Sequence, residues 1–358
     1  MKISALFILI LAQASALAPS YERNHSILQQ SLSSIANKLT LSPEIIIPEP
    51  SDPTALLLQK TEIEKMSNSL RVKAKANAAF LSGSVGNIAT FCAEQETARG
   101  NFPGPLPIIY CGEGDYKELA EKGTAGVLFS LNGEISDADS MDLTGLKDTF
   151  EQVKECGMAL IPELVLSKEN EWSEDDVKAI VDKVVEECGG NDPAAILLTL
   201  GAIADDEESE EVDESDDDDE DAATSISLPS VAKDLSKRIP ILGSVRAVAG
   251  GGRMGSSVNS HKDAGFKGCV LRCDCLPGFR MNPDLDFVGG FWGAAIGDLK
   301  STKSKNFNFR STIALDRDIP MEWYRYQKDV MESGALGSPS GGGGSDPIDT
   351  DNGDYVGF

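Results

Sequence analysis

Eight short apolar runs, each followed by a turn and an amphipathic segment, recur along the chain between residues 44 and 273. They lie at residues 44–48, 78–82, 106–112, 125–131, 159–166, 194–200, 239–245 and 268–273. The runs do not alternate apolar with polar residues, which is typical of strands covered on both faces of a parallel sheet. Strands and helices in alternation predict an α/β protein, and eight repeats favour a closed (β/α)8 barrel over an open sheet.

The segment after the fifth run carries the clearest helix signals. Ser173 is a residue type that caps helix starts, and Asp176 follows it at the spacing of a capping box. The next apolar residues share one helical face: Val177, Ile180, Val181, Val184 and Val185. Hydrophobic residues make up 41% of the chain, which is enough for one large core beneath such helices.

Residues 1–16 predict a secretory signal peptide. Lys2 precedes an apolar stretch, Ile3 to Ala12, that is too short to span a bilayer. Ala14-Ser15-Ala16 supplies the small residues of a cleavage site. The sequence from Ala14 to Pro19 also resembles the ASAFAP motif of diatom-type plastid presequences, with Leu17 in place of the usual phenylalanine. The resemblance implies that residues 17–40 are a transit segment and that the protein enters a secondary plastid; secretion or residence in the ER is the alternative.

Five stretches between residues 105 and 274 carry a second resemblance. They are residues 106–110, 117–128, 157–163, 239–246 and 264–271. In order and pattern they resemble the strands of the indole-3-glycerol-phosphate synthase type of phosphate-binding, aldolase-type TIM barrel. The family's lysine after the third strand is replaced here by Tyr110-Cys111-Gly112-Glu113, and its glycine and serine after the eighth strand by Arg272-Cys273. The resemblance therefore implies the barrel, while the indole-forming reaction is not expected.

Glu163 is the candidate catalytic residue, because it stands where the family has a catalytic carboxylate and ends an apolar strand. Burial there would raise its pKa toward neutrality and suit it to acid–base chemistry. The alternative is a carboxylate paired with a nearby arginine. The candidate phosphate-binding residues follow strand seven, where backbone N–H groups of a glycine loop can approach an anion; they are Gly243, Ser244, Gly250, Gly251, Gly252 and Arg253.

No metal and no organic cofactor are predicted. Cys269, Cys273 and Cys275 are close together, but neither histidine stands at a zinc-site spacing from them. The net charge of −26 is concentrated in Asp205–Asp221, which holds fourteen acids and no base. This charge excludes nucleic acid as a partner and favours a basic plastid protein. A solvated, disordered insert over residues 205–225 is the alternative.

The barrel is predicted over residues 41–276, followed by an extension over residues 277–337 that is rich in aromatic and basic residues. This extension is expected to dock either on the barrel or on a protein or membrane surface. Residues 338–358 form a Gly/Ser and acidic tail that is expected to be disordered.

Two functions remain open at this point. In the first, a divergent plastid barrel has lost the synthase chemistry and acts as a binding, scaffold or assembly factor. In the second, the barrel is a lyase- or isomerase-type enzyme that acts on a small phosphorylated molecule, with Glu163 as the acid–base group.

Overall fold

The computed structural model has eight parallel strands that close into a barrel in sequence order, each paired with its neighbours along the chain and the last paired with the first. The structure describes residues 20–33, 39–49, 53–138, 141–201, 228–232, 234–246, 254–272 and 285–300. The strands are β1 Thr40–Ile46, β2 Ala79–Ser82, β3 Ile108–Cys111, β4 Gly126–Ile135, β5 Ala159–Leu166, β6 Ile196–Leu200, β7 Ile241–Arg246 and β8 Gly268–Arg272. The predicted (β/α)8 TIM barrel is confirmed, and every predicted strand overlaps an observed one.

Helices surround the barrel and one lies at its end. They are α1 Tyr21–Leu32, α2 Pro53–Ser69, α3 Val85–Thr97, α4 Tyr116–Glu121, α5 Leu146–Glu155, α6 Glu174–Glu187, α7 Leu235–Arg238, α8 Met254–Asp263 and α9 Leu285–Lys300, with a π-helical turn, Leu70–Ala74, directly after α2. Within the ranges described above, no helix is long and apolar enough to cross a membrane.

Helix α6 forms as its sequence predicts. The side chain of Ser173 accepts a hydrogen bond from the backbone N–H of Asp176, and the carboxylate of Asp176 accepts one from the backbone of Ser173. The predicted apolar stripe is buried along its whole length, including Val177, Ile180 and Val184. A two-way cap satisfies backbone donors that the first turn leaves without partners, and the stripe fixes which face meets the sheet.

Strand β1 begins four residues before its predicted start at Glu44. Thr40, Leu41, Ser42 and Pro43 pair in register with β8, and this pairing closes the barrel. Thr40 and Ser42 are polar, so they interrupt the apolar run that marks a buried strand. As a result, Glu44 lies near the carboxyl end of β1 instead of at its amino end.

Helix α9 continues the barrel beyond residue 276, where the sequence analysis ended it. The helix packs against α2: the hydroxyl of Ser69 donates to the carbonyl of Gly289 at 3.1 Å, and Trp292 is fully buried. In a TIM barrel, the helix that follows β8 lies beside the helix that follows β1. This part of the predicted extension is therefore the eighth helix of the barrel, while residues 301–337 and the tail lie outside the described part.

Helix α1 lies within residues 17–40, which the sequence analysis assigned to a transit segment. Leu28 and Leu32 are fully buried and pack with inward-facing residues of the strands. The folded body therefore begins at about Ser20, before the predicted barrel start at residue 41. The predicted signal peptide and the acidic insert of residues 205–225 lie outside the described residues.

Candidate active site

A layer of polar side chains fills the barrel interior at the carboxyl ends of the strands, where barrel enzymes carry their active sites. Side chains of a strand alternate between the interior and the helices. This alternation turns inward Glu44 of β1, Ser130 of β4, Glu163 of β5, Thr199 of β6 and Arg272 of β8. Glu163, Thr199 and Arg272 are among the few buried polar residues of the described structure.

Glu163 lies at the centre of this layer. One carboxylate oxygen, Oε1, accepts hydrogen bonds from Arg272 Nη1 at 2.8 Å and from Thr199 Oγ1 at 2.8 Å. The other, Oε2, accepts one from the hydroxyl of Ser130 at 2.6 Å. Both oxygens of the buried carboxylate are thus occupied by donors from three different strands.

Arg272 joins two carboxylates across the barrel interior. Its Nη1 contacts Glu163, and its Nε contacts Oε2 of Glu44. The side chains of Arg272 and Glu163 are each 6% exposed and that of Glu44 is 19% exposed, so water screens this triad weakly. Because a buried charge without a partner is costly, the three groups depend on one another.

The pKa of Glu163 is lower than its usual value, contrary to the sequence-based expectation. Burial alone raises this pKa, but the charge of Arg272 and the hydrogen bonds from Arg272, Ser130 and Thr199 outweigh burial. The alternative, a carboxylate paired with an arginine, is the one observed. At neutral pH, Glu163 is ionised and has no proton to donate as a general acid.

Two other titratable groups of the layer, Arg272 and Cys111, also have shifted pKa values. Burial disfavours the charge on Arg272, but the carboxylates of Glu44 and Glu163 outweigh it and raise the arginine pKa. Burial, followed by the nearby charge of Glu44, raises the pKa of the Cys111 thiol well above its usual value. Cys111 is therefore a neutral thiol and not an activated nucleophile.

Of the predicted phosphate-binding residues, Ser244 lies in this interior. It is on β7, and its Oγ is buried without a hydrogen-bond partner among the described residues. Two residues further along β7, Arg246 is in register with Arg272 of β8. Two guanidinium groups therefore extend from neighbouring strand ends. Ser42 of β1 is also buried with an unpartnered Oγ within the described part of the chain.

Gly243 does not face the site. A Cβ atom built on it would point outward and lie 2.0 Å from Cδ2 of His261. The missing side chain therefore makes room for helix α8. The His261 ring is held by the carbonyl of Ser257, 2.7 Å from Nδ1, and burial lowers its pKa. Gly243 thus packs against helix α8, and its role in phosphate binding stays a prediction. Gly250, Gly251, Gly252 and Arg253 lie outside the described residues.

The predicted site did not include Glu44, Ser130 or Thr199. Glu44 was missed because the predicted strand began with it, which placed it at the wrong end of the barrel. Ser130 and Thr199 carried a usable signal, since both are hydroxyl residues two positions from an inward-facing apolar residue near a strand's carboxyl end. Their partner could not be inferred, because the contacts to Glu163 span 33 and 36 residues.

A second concavity, of about 480 Å³, lies outside the barrel near the start of α6 and the end of α8. The described residues of its lining include the carboxylates of Glu174, Asp234 and Asp263 and no basic side chain. Within the described residues, no group of three or more His, Cys, Asp or Glu side chains is arranged to hold a metal ion. The concavity therefore does not suit an anionic ligand, and the barrel interior is the candidate site.

No protein-family model and no curated protein matches this chain. Among solved structures, N-acetylneuraminate lyase from Mycoplasma synoviae is similar at 10% identity and a TM-score of 0.39, over 86% of this chain and 85% of the lyase. The 3-hexulose-6-phosphate synthase from Salmonella typhimurium is similar at 12% identity and 0.34, over 72% of this chain and 98% of the synthase. Triosephosphate isomerase from Bartonella henselae is similar at 10% identity and 0.32, over 64% and 91%. These likenesses concern the barrel architecture alone.

Proposed function

We propose that this protein is a plastid TIM-barrel binding protein that holds a basic protein partner at the carboxyl-end rim of its barrel. The observation that carries the proposal is a turn of exposed leucines. Leu56, Leu57 and Leu58, which form one turn near the start of α2, are 57%, 76% and 64% exposed. Large apolar residues that cluster at the surface of a soluble protein mark interaction sites.

The leucine turn belongs to the same end of the barrel as the polar layer. Helix α2 follows the carboxyl end of β1, and the side-chain amide of Gln59 donates to the carbonyl of Pro48, just beyond that strand, at 2.5 Å. Consecutive helical residues point about 100° apart, so three consecutive exposed leucines cannot share one face. The turn therefore projects from the barrel, with apolar surface available to a partner on several sides.

The state of Glu163 supports binding over catalysis. Its carboxylate is ionised and has donors on both oxygens, so a substrate would have to break existing hydrogen bonds before reaching it. Arg272 also contacts Glu44, so one positive charge is shared between two carboxylates and the triad keeps a single net negative charge. Such an arrangement holds the polar side chains of the barrel interior in place and provides no proton for general-acid catalysis.

Charge favours a basic protein over a membrane as the partner. The chain carries a net charge of −26, and its most acidic segment, Asp205–Asp221, follows β6 in the sequence. Anionic lipid surfaces repel such a protein, whereas a protein with basic residues around an apolar patch is complementary to both features. The plastid location of the proposal rests on the presequence pattern at residues 14–40.

The test is purification of the tagged protein from plastids, with the stoichiometry of each co-purified protein measured for the wild type and for two variants. In Leu57→Ser/Leu58→Ser the apolar turn is interrupted, and in the second variant the acids of residues 205–221 are replaced by Asn and Gln. We expect one basic protein at fixed stoichiometry that is reduced at least about tenfold by either change, because central apolar anchors dominate binding.

Val72→Ser is the matched control, since Val72 is 41% exposed and lies beyond the other end of α2. The control should retain the partner. Equal retention by all the variants, or a partner without basic character, would overturn the proposal. When vesicles containing anionic lipids are mixed with the purified protein and sedimented, the protein should remain in the supernatant.

A second candidate function is an enzyme acting on a small phosphorylated molecule, and the unpartnered hydroxyl of Ser244 favours it. A buried hydroxyl without a partner is unusual unless a ligand or water supplies one. Arg246 and Arg272 lie above it in register, at the strand ends where many barrels bind phosphate.

Thermal shift measurements with inorganic phosphate and with a sugar phosphate would separate the two functions. Stabilisation that is lost in Ser244→Ala, together with no partner dependent on the leucine turn, would favour a phosphate-binding site and with it the enzyme function. Rescue of a tryptophan-requiring strain by this chain would show that the synthase activity itself has been retained.

A further inference from the structure

Helix α1 closes the amino end of the barrel, and it does so with residues that a transit peptide would remove. Leu28 and Leu32 are 0% exposed. They belong to one apolar cluster with the inward-facing side chains of the strands, including Phe80 and Ile161. Helix α1 is thus a part of the core and not an appendage on the surface.

The amino end of the barrel is shaped to receive these leucines. The cluster around them contains a ring of small residues near the strand starts, which are Ala78, Ala125, Ala159, Ala194 and Ala195. Gly126 fits closest, since a Cβ built on it would lie 2.6 Å from Cδ1 of Leu28. Without α1, these small side chains would leave an apolar opening at the base of the barrel.

Polar contacts join α1 to the three loops that precede β5, β6 and β7 at this end of the barrel. The amide of Asn24 donates to the carbonyl of Gly157 at 2.8 Å, before β5. The His25 ring lies 3.0 Å from the carbonyl of Asp192, before β6, and the amide of Gln29 donates to the carbonyl of Arg238 at 3.1 Å, before β7. The helix therefore satisfies backbone carbonyls that the loops leave unpaired.

We propose that proteolytic maturation of this chain stops at or before Ser20, so that residues 20–33 stay attached as the floor of the barrel. Ser20 is the residue at which a mature chain would still begin with a complete helix, because its side chain caps α1 by accepting from the N–H of Arg23. The proposal divides the predicted presequence: any removed part ends before α1, and the remainder is structural. It rests on the targeting prediction only for the existence of cleavage.

The decisive experiment is the intact mass and N-terminal sequence of the protein isolated from its own cells. The expected result is an N-terminus at or before residue 20. An N-terminus within or beyond α1 would overturn the proposal. This outcome does not depend on the partner experiment, because a retained floor is compatible with a protein of either function.

A recombinant comparison provides a second measurement. Chains that start at residue 20 and at residue 34 are purified side by side, and their thermal unfolding and their binding of a dye for exposed apolar surface are followed. We expect the shorter chain to melt at least roughly 10 °C lower, or to be recovered only as aggregate, since it lacks two buried leucines. Equal melting temperatures and equal dye binding would contradict the proposal.

Discussion

The two ends of the barrel are built from opposite kinds of side chain. At the amino end, Leu28 and Leu32 of α1 pack into a ring of alanines and glycine, and the described contacts there are mainly apolar. At the carboxyl end, Glu163 and Arg272 form the centre of a buried charged layer. Apolar packing stabilises without selecting a ligand, while buried charges add little net stability and constrain what can bind. The apolar end therefore contributes net stability, whereas the charged end contributes little net stability but is costly to disrupt on one side.

The largest effect is expected at the charged end. Arg272→Met leaves the buried Glu163 and the half-buried Glu44 without their cation, and breaking such a pair from one side costs about 3–5 kcal/mol of unfolding free energy. Urea denaturation at neutral pH measures the loss. The control is Arg238→Met, which removes exposed ion pairs to Asp182 and Asp192 and should cost less than about 1 kcal/mol. Equal losses in the two variants would mean that the interior triad does not form.

The apolar end should respond almost as strongly. Leu28→Ala deletes a fully buried side chain from the floor, and we expect a loss of about 2–5 kcal/mol in unfolding free energy because a cavity remains. Ile27→Ala is the matched control on the same helix, since Ile27 is 37% exposed. If the two alanine variants unfold at the same urea concentration, α1 does not occupy the barrel end.

A smaller, pH-dependent effect distinguishes the charged end from the apolar one. The folded-state pKa of Glu163 lies below the ordinary 4.5, so its ionised form stabilises the folded protein. This contribution is complete above pH 4.5 and is lost as the pH falls through the folded-state pKa. Glu163→Gln should therefore cost about 1–3 kcal/mol at neutral pH. The gap to wild type should narrow in acid, and denaturation curves measured at several pH values would show it. A gap that widens in acid would reverse the sign of the inferred shift.

The smallest effect is expected for Ser244→Ala. Its hydroxyl has no partner in the described structure, so its removal should change the unfolding free energy by no more than about 0.5 kcal/mol. Ser130→Ala, by contrast, removes a donor to Glu163 and should cost about 1 kcal/mol. Thermal unfolding without added ligand compares the two variants. A larger loss in Ser244→Ala than in Ser130→Ala would show that Ser244 already has a structural partner.

The regular parts of this fold could be predicted because they depend on local pattern. The capped, striped sequence of α6 specifies a helix and its buried face within fifteen residues, from Ser173 to Glu187. The apolar strand runs are similarly local. Helix α9 was harder, since its glycines and aromatic residues resemble interface material until Gly289 is seen against α2.

The site could be predicted only in part, because its contacts are not local. Glu163 was found from its place at a strand end, but the direction of its pKa shift depends on Arg272, 109 residues away. Burial and charge pairing shift a carboxylate pKa in opposite directions, and the sequence does not show which one dominates. The floor helix was missed for a related reason: its serine-rich surroundings have the composition of a targeting segment, and its packing partners come from several distant strands.

The closing contacts of the barrel join parts of the chain that are synthesised far apart in time. Ser69 meets Gly289 across 220 residues, and Thr40 meets Lys267 across 227. Neither contact can form until nearly the whole barrel sequence has emerged from the ribosome, and contacts of such long range form slowly. Up to that moment the chain exposes an open sheet with unpaired edges, so chaperones have a long interval in which to bind it.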